Sequence, residues 1–394
     1  MQSFVQYTPT KVIFGKDTQK EAGKLVREQG AERVLLVYGG GSVVRSGLLA
    51  EIKKSLDEEN ISYEEIGGVK PNPRLALARE GVKKAITFGA ELILAVGGGS
   101  AIDTAKAIAI GAANPETDIW EFWKNKKEIK KVLPVGVVLT ISAAGSEMSD
   151  SSVLTNEETE EKVGAHSDLI RPKFAIMNPE LTYTLPKYQL TCGIVDIFMH
   201  TIERYFTPVH GNELTDEIAE GVLRTLIRNA AKAYENQEDY DAMSEIMWCG
   251  SISHNGLTGL GRPKDFLCHK LGHQLSAKFD EAHGATLSAV WGSWARYVYH
   301  LDVARFANYG RKVWNIAEES EEKTAVAAIE KTEEFFRSLN MPTCLGDMKM
   351  GVQPDEVLKE MAGKATAGDT LKVGAFQKMG EKELYEIYKA ANHR

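Results

Sequence analysis

Twice in this chain a short aliphatic run stops at three glycines and a serine. Residues 33–38 (RVLLVY) precede Gly39-Gly40-Gly41-Ser42, and residues 92–96 (LILAV) precede Gly97-Gly98-Gly99-Ser100. Runs this short, this aliphatic and this abruptly ended read as buried strands. Amphipathic helical spacing surrounds them, at 18–29, 48–60, 74–88 and 101–113, with further strands at 62–66 and 132–139. Strands alternating with helices predict a mainly parallel, doubly wound sheet.

The pattern changes at Leu185-Pro186. Beyond it only helical patterns recur, at 195–206, 213–236, 240–257, 265–278, 287–307 and 325–339, with no convincing strand. Two domains are therefore expected: an α/β dinucleotide-binding domain over 1–186 and an all-helical domain over 187–394. The charged stretch at 317–331 reads as the solvated face of a helix.

Glycines at the carboxyl end of a buried strand let the backbone turn tightly. Their free N–H groups, with the dipole of the next helix, suit an anion such as a cofactor phosphate. The second turn runs Gly97-Gly98-Gly99-Ser100-Ala101-Ile102-Asp103, with Ile102 where a Rossmann fingerprint has its third glycine. An ordinary tight turn, with Ser100 as the helix N-cap and Asp103 in the first turn, fits the same residues. In the first turn no acid follows Tyr38, and Arg45 is near. A carboxylate there would bind ribose hydroxyls and repel a 2′-phosphate, so its absence favours NADP(H) over NAD(H).

Composition narrows the class. The chain has 394 residues, 43% hydrophobic and 26% charged, with a formal net charge of −8. Such a balance is that of a soluble globular protein, and the net negative charge argues against nucleic acid as a partner. Four scattered cysteines without a CxxC pair argue against a zinc ribbon or a disulfide framework and fit a reducing compartment. No signal peptide is visible, and the longest apolar tract, 92–113, contains Asp103, Lys106 and a glycine triplet, unlike a membrane span. A cytoplasmic location with no membrane contact is expected.

The helical half carries a second pattern. Asp196 and His200 in VDIFMHTIERY lie at i and i+4, on one helical face. In CHKLGHQLSAKFDEAHG, His269 and His273 repeat that spacing and His283 follows ten residues after His273. An aspartate with three such imidazoles suits a borderline divalent cation, Fe²⁺ or Zn²⁺, and leaves coordination positions open to substrate. Spacing alone fits an exposed ion pair or a hydrogen-bonded core histidine equally well.

Taken in order, YGGGSVVRSG, GVKPNPRL, LAVGGGSAIDTAKAIA, AAGSEMS, the Asp196/His200 helix and HxxxHxxxxxxxxxHG span essentially the whole chain. In these motifs the sequence resembles the iron-containing (group III) alcohol dehydrogenase family, most of all its butanol dehydrogenase branch. The resemblance implies a dehydroquinate synthase-like architecture and a homodimer. It implies that Asp196, His200, His269 and His283 bind the catalytic metal, generally iron and sometimes zinc, and that His273 lies near nicotinamide and substrate without being a ligand. By the same resemblance Gly98, Gly99 and Ser100 hold the pyrophosphate, and Asn72, Thr140, Ser149 and Lys162 line the cofactor site. Gly39 and Ser42 match the place where NADP-using relatives accommodate the 2′-phosphate, with Gly40 between them, and Asp103 belongs to the same glycine-turn motif. One departure is visible: many members have a threonine where Ala144 stands, which removes a hydroxyl contact to the cofactor.

The implied activity is NAD(P)H-linked, metal-assisted hydride transfer between a small primary alcohol and its aldehyde, with His273 relaying the proton or orienting a ligand. A phosphorylated-polyol dehydrogenase or dehydroquinate synthase-like enzyme shares the architecture but needs a cluster of Lys or Arg beside the metal. Arg204, Arg262, Lys264, Lys270 and Lys278 form no tight cluster in the sequence, and Phe198, Leu267, Leu271 and Trp291 suggest a less polar substrate pocket. A purely structural metal would be expected among cysteines.

Overall fold

The computed structural model describes residues 1–394, which divide into two compact units, Tyr7–Leu185 and Met1–Gln6 with Pro186–Arg394. In the first unit the elements run β1 (Lys11–Phe14), α1 (Ala22–Glu28), β2 (Arg33–Gly39), α2 (Ser42–Arg45), α3 (Leu48–Glu58), β3 (Ser62–Val69), α4 (Leu75–Phe88) and β4 (Leu92–Gly97). They continue with α5 (Gly99–Ala113), α6 (Trp120–Lys124), β5 (Val135–Leu139), β6 (Ser151–Asn156), β7 (Glu161–His166) and β8 (Phe174–Met177). Six strands form one sheet in the order β1-β8-β5-β4-β2-β3, every pair parallel. The two aliphatic strands read from the sequence, β2 and β4, are neighbours, and Val34–Val37 and Leu92–Val96 are wholly buried. That burial on both faces explains their unbroken apolar runs.

Four strands escaped the sequence reading. β1 and β8 are only four residues each, and each is a strand because it pairs in parallel with a distant partner. β6 and β7 form an antiparallel hairpin closed by the charged turn 157–160. This hairpin is tied to the segment before α4, where Thr155 N donates to Pro73 O at 2.7 Å.

The second unit is helical: α7 (Lys187–Tyr205), α8 (Glu213–Glu235), α9 (Tyr240–His254), α10 (Leu267–Phe279), α11 (His283–Val298), α12 (Val303–Tyr309), α13 (Glu321–Ser338), α14 (Asp355–Ala365) and α15 (Glu381–Ala391). No strand follows β8. The continuous helix expected at 287–307 is broken at 299–302, where a short 3₁₀ turn precedes Asp302, which caps α12 by accepting from Arg305 N. Within 317–331, Ser320 caps α13. Glu321 to Lys323 are exposed while Thr324, Ala325, Ala328 and Ile329 are buried, so only one face of that stretch is solvated. Aromatic packing fills the interior: Phe206 stacks on Phe306 at 4.2 Å, and Phe198 meets Phe336 edge-on at 5.4 Å. Each such fully buried ring contributes roughly 1.5–3 kcal/mol of transfer free energy.

Two glycines set how closely the site-bearing helices approach. A Cβ on Gly284 would lie 2.2 Å from the Cys192 carbonyl oxygen of α7, and one on Gly272 would lie 2.7 Å from Thr286 Oγ1 of α11. The bare backbones let α7, α10 and α11 converge, which brings together side chains more than 80 residues apart in sequence (Asp196 and His283).

Candidate metal centre and glycine-rich turn

Asp196 and His200 project from one face of α7, His269 from the first turn of α10, and His283 is the first residue of α11. Their donor atoms converge. Asp196 Oδ1 lies 3.5 Å from His200 Nε2 and 3.8 Å from both His269 Nε2 and His283 Nε2, and His200 Nε2 lies 3.3 Å from His269 Nε2. Asp196, His200 and His269 form the tight set; His283 joins it on the Asp196 side. In a tetrahedral site with bonds of about 2.1 Å, ligand atoms sit about 3.4 Å apart, so the residues fit a single small divalent ion. Burial, followed by the neighbouring His254, His269 and Arg204, holds the His200 imidazole well below the usual histidine range. Neutral imidazole is the form that offers a lone pair to a metal.

His273 stands apart. Its ring is half-buried, 6.4 Å from the His269 ring and 5.2 Å from the His283 ring. Two groups missed in the sequence contact these imidazoles. Glu203, fully buried on α7, meets His269 Nδ1, and His254 Nδ1 lies 3.0 Å from His200 Nδ1. Glu203 was detectable in principle, since it follows Asp196 by seven residues and shares its helical face; His254 gave no signal.

One expectation is corrected here. Phe198, Leu267, Leu271 and Trp291 are all completely buried and belong to the packed interior, so they do not form a substrate pocket wall. Among the cations, Arg204 Nη1 donates to His200 O at 2.5 Å with its guanidinium over the Phe266 ring, Arg262 pairs with Asp216, and Lys278 pairs with Glu360 at 2.8 Å.

In the sheet unit, β4 delivers Gly97 to a turn in which Gly98, not Ser100, is the N-cap of α5. Helix therefore begins at Gly99, and Ser100 lies in its first turn. A Cβ on Gly98 would strike Ile141 Cγ2 at 1.8 Å, whereas one on Gly99 would meet nothing within 4 Å, which leaves open space above that turn. Thr140, directly after β5, donates its N–H to Gly97 O at 3.1 Å. In the other turn, Gly40 and Ser42 are exposed, Gly39 is half-buried, and Arg45 Nη1 lies 3.1 Å from where a Gly41 Cβ would be. The nearest carboxylate on β3, Glu65, is bound by Lys53 at 2.7 Å and by the Tyr38 hydroxyl at 3.1 Å.

Asn72 and Lys162 are brought together: Asn72, in a left-handed conformation at φ 56°, accepts from Lys162 Nζ at 2.9 Å. Asp103 and Ser149 are placed differently. The Asp103 carboxylate is half-buried, accepts from Ser146 Oγ at 2.6 Å and Val153 N at 2.9 Å, and is pushed upward in pKa chiefly by desolvation. Ser149 is fully buried, with its hydroxyl 3.2 Å from Lys106 Nζ. Both side chains hold the 146–153 loop from behind.

Comparison with known proteins gives the family. Residues 9–179 match the iron-containing alcohol dehydrogenase family and residues 191–392 the C-terminal part of the Fe-containing alcohol dehydrogenase family. The chain is 39% identical over 391 residues to NADH-dependent butanol dehydrogenase A of Clostridium acetobutylicum, covering 99% of each chain. It is 38% identical over 349 residues to the NADPH-dependent aldehyde reductase YqhD of Escherichia coli, covering 88% of this chain and 89% of that relative. The crystal structure of NADH-dependent butanol dehydrogenase A from Thermotoga maritima superposes with a TM-score of 0.95 at 35% identity, covering 100% of this chain and 99% of that one. By matched sequence along both halves and by fold, this chain belongs to the iron-containing alcohol dehydrogenase family.

Proposed function

We propose that this alcohol dehydrogenase interconverts a small unphosphorylated primary alcohol and its aldehyde, butanol and butyraldehyde being the test pair, with NADP(H) used in preference to NAD(H). Asp196, His200, His269 and His283 would hold one divalent ion, iron or else zinc. The observation that carries this reading is the convergence of one carboxylate oxygen and three imidazole Nε2 atoms within 3.3–3.8 Å contacts. Such an ion would supply Lewis acidity toward the substrate oxygen, and a bound nicotinamide would supply the hydride chemistry.

The chain's own residues do the rest. Asp196 contributes the anionic ligand, and the three imidazoles complete a set that is neutral apart from it. Gly98, Gly99 and Ser100 offer the first-turn N–H groups of α5 to cofactor phosphates, with room above Gly99. His273, beside the His283 ring, accepts the hydroxyl proton in alcohol oxidation and returns it in aldehyde reduction. Thr140, Asn72 and Lys162 border the cofactor, while Asp103 and Ser149 shape the loop next to it.

The cofactor preference is supported by the exposed Ser42, by Arg45 over Gly41, and by Glu65 being engaged elsewhere. Arg45→Ala should raise KM for NADPH while leaving KM for NADH alone; wild-type preference for NADH would overturn this part. An unphosphorylated substrate is supported by the engagement of Arg204, Arg262 and Lys278 with their own partners. NADPH consumption with butyraldehyde, compared with a phosphorylated polyol, tests it. His283→Ala should lose both metal and turnover, whereas His273→Ala should keep its metal and turn over slowly; metal loss in the latter would make His273 a ligand.

No helix is long and apolar enough to cross a membrane. We place the enzyme in the cytoplasm as a homodimer, whose second copy would cover the exposed Phe4 and Val5; a monomer by light scattering would overturn the dimer.

A further inference from the structure

A histidine that binds a metal through Nε2 must carry its proton on Nδ1, and that proton needs an acceptor. For His269 the acceptor is Glu203. Its side chain is wholly buried on α7, one turn beyond His200, and Oε2 meets His269 Nδ1 directly. The other oxygen, Oε1, accepts the backbone N–H of Cys268 at 2.6 Å and lies 3.4 Å from His269 N. These are first-turn amides of α10, whose N-cap Phe266 supplies no side-chain acceptor and sits at φ 53°. One carboxylate thus caps α10 and fixes both the tautomer and the ring orientation of a ligand that α10 carries.

Charge points the same way. A divalent ion with Asp196 as its single anionic ligand would leave a net positive charge in a buried site, which is costly. Glu203 supplies the second negative charge. On the His200 side Nδ1 faces the partly exposed His254, Nδ1 to Nδ1 at 3.0 Å, and Arg204 Nη1 at 3.2 Å, neither of which brings a negative charge.

We propose that Glu203 is a positioning residue of the metal centre: it locks His269 with Nε2 toward the ion and balances the ion's charge. The inference rests on the four-ligand reading above. The test is metal binding by the full-length apo-protein, with Co²⁺ and Zn²⁺ titrated against a chromophoric chelator. Glu203→Gln keeps the shape but turns an NH₂ group toward one of the two N–H donors. It should weaken both ions roughly 10–100-fold and shift the Co²⁺ visible bands. Glu203→Asp, which keeps the charge, should recover part of that loss. A role confined to capping α10 would lower the melting temperature and leave Co²⁺ affinity and spectrum unchanged; that result overturns the proposal. Asp196→Asn serves as the reference: if it too keeps wild-type affinity, the four-ligand reading fails instead. Should Glu203→Gln not fold, ¹⁵N-histidine NMR of zinc-loaded wild type must show a strongly deshielded Nδ1–H for His269, and its absence counts against Glu203.

Discussion

Lys106 is the side chain whose removal tests the account of the 146–153 loop most severely. It lies on α5, fully buried, and its ammonium donates to three carbonyl oxygens: Ser146 at 2.7 Å, Ser149 at 3.0 Å and Ser151 at 2.8 Å. One turn earlier, Asp103 binds Ser146 Oγ and Val153 N from the same helix. Together they stitch residues 146–153 to α5. Lys106→Met fills similar volume but leaves three buried carbonyls without a donor and Asp103 without its cation. Removing one partner from such a buried ionic network costs about 3–5 kcal/mol. For a unit of this size that lowers the melting temperature by roughly 10 °C.

Protonation adds a second readout. Burial pushes the Lys106 ammonium down to about 8 from its usual 10.5. Between those values the unfolded chain binds the proton and the folded one does not, so folding becomes more favourable as pH rises from 8 to 10.5. The full span is worth about 3 kcal/mol. The stability gap between wild type and Lys106→Met should therefore widen as pH is raised through that window. Thermal unfolding by circular dichroism at several pH values measures both effects, and amide exchange at 146–153 measures the loosening of the loop. A melting temperature lowered by less than about 2 °C, with unchanged exchange, would refute the reasoning.

Three further outcomes follow from the same geometry. Gly284→Ala places a Cβ 2.2 Å from the Cys192 carbonyl oxygen, so α11 must back away from α7 with His283; metal affinity should fall roughly tenfold or more, by the scale of ligand-shell disruption, and undiminished affinity by chelator competition would contradict it. Gly98→Ala drives a methyl into Ile141 Cγ2; cofactor affinity by NADPH fluorescence should drop with metal content unchanged, and equal losses of both would mean a general folding defect. Cys192 and Cys249 are pushed up to about 12 by burial, and Cys268 is raised well above the usual thiol range; native protein at pH 8 should react slowly with iodoacetamide at all three, and rapid labelling of the buried Cys249 or Cys268 would show that the helical unit opens.

What could be read from the chain depended on how local its signal was. β2 and β4 were legible because burial on both faces forces five or six consecutive apolar residues, and the glycines after them have no use in a helix or strand interior. β1 and β8 were not, since KVIF and FAIM become strands only by pairing with each other and with β5. The break in the helix expected at 287–307 was invisible for a related reason: the apolar spacing continues through it, and only the capping role of Asp302 marks the new start. Spacing drew attention to the four converging residues and the family resemblance singled them out, whereas the Ser100 N-cap that side-chain preference suggested for α5 is Gly98, whose backbone passes close to the Ile141 side chain.

The polar groups that hold the two sites were the hardest to read, and Glu203 and Lys106 show why. Each stands on a helix at ordinary spacing from an opposite or like charge, Asp103 to Lys106 at i,i+3 and Asp196 to Glu203 at i,i+7. In sequence both look like solvated helix charges, which is what most such residues are. Their burial is decided by what packs over them: the 146–153 loop over Lys106, and the first turn of α10 over Glu203. In both cases the covering segment contributes backbone groups, three carbonyls in one and an amide in the other, that no residue-type pattern encodes. Where a buried charge is held by backbone groups as well as by a side chain, the backbone partners leave no letter in the sequence, so the supports of these sites emerge only from the fold, even where the residues they support are plain in the chain.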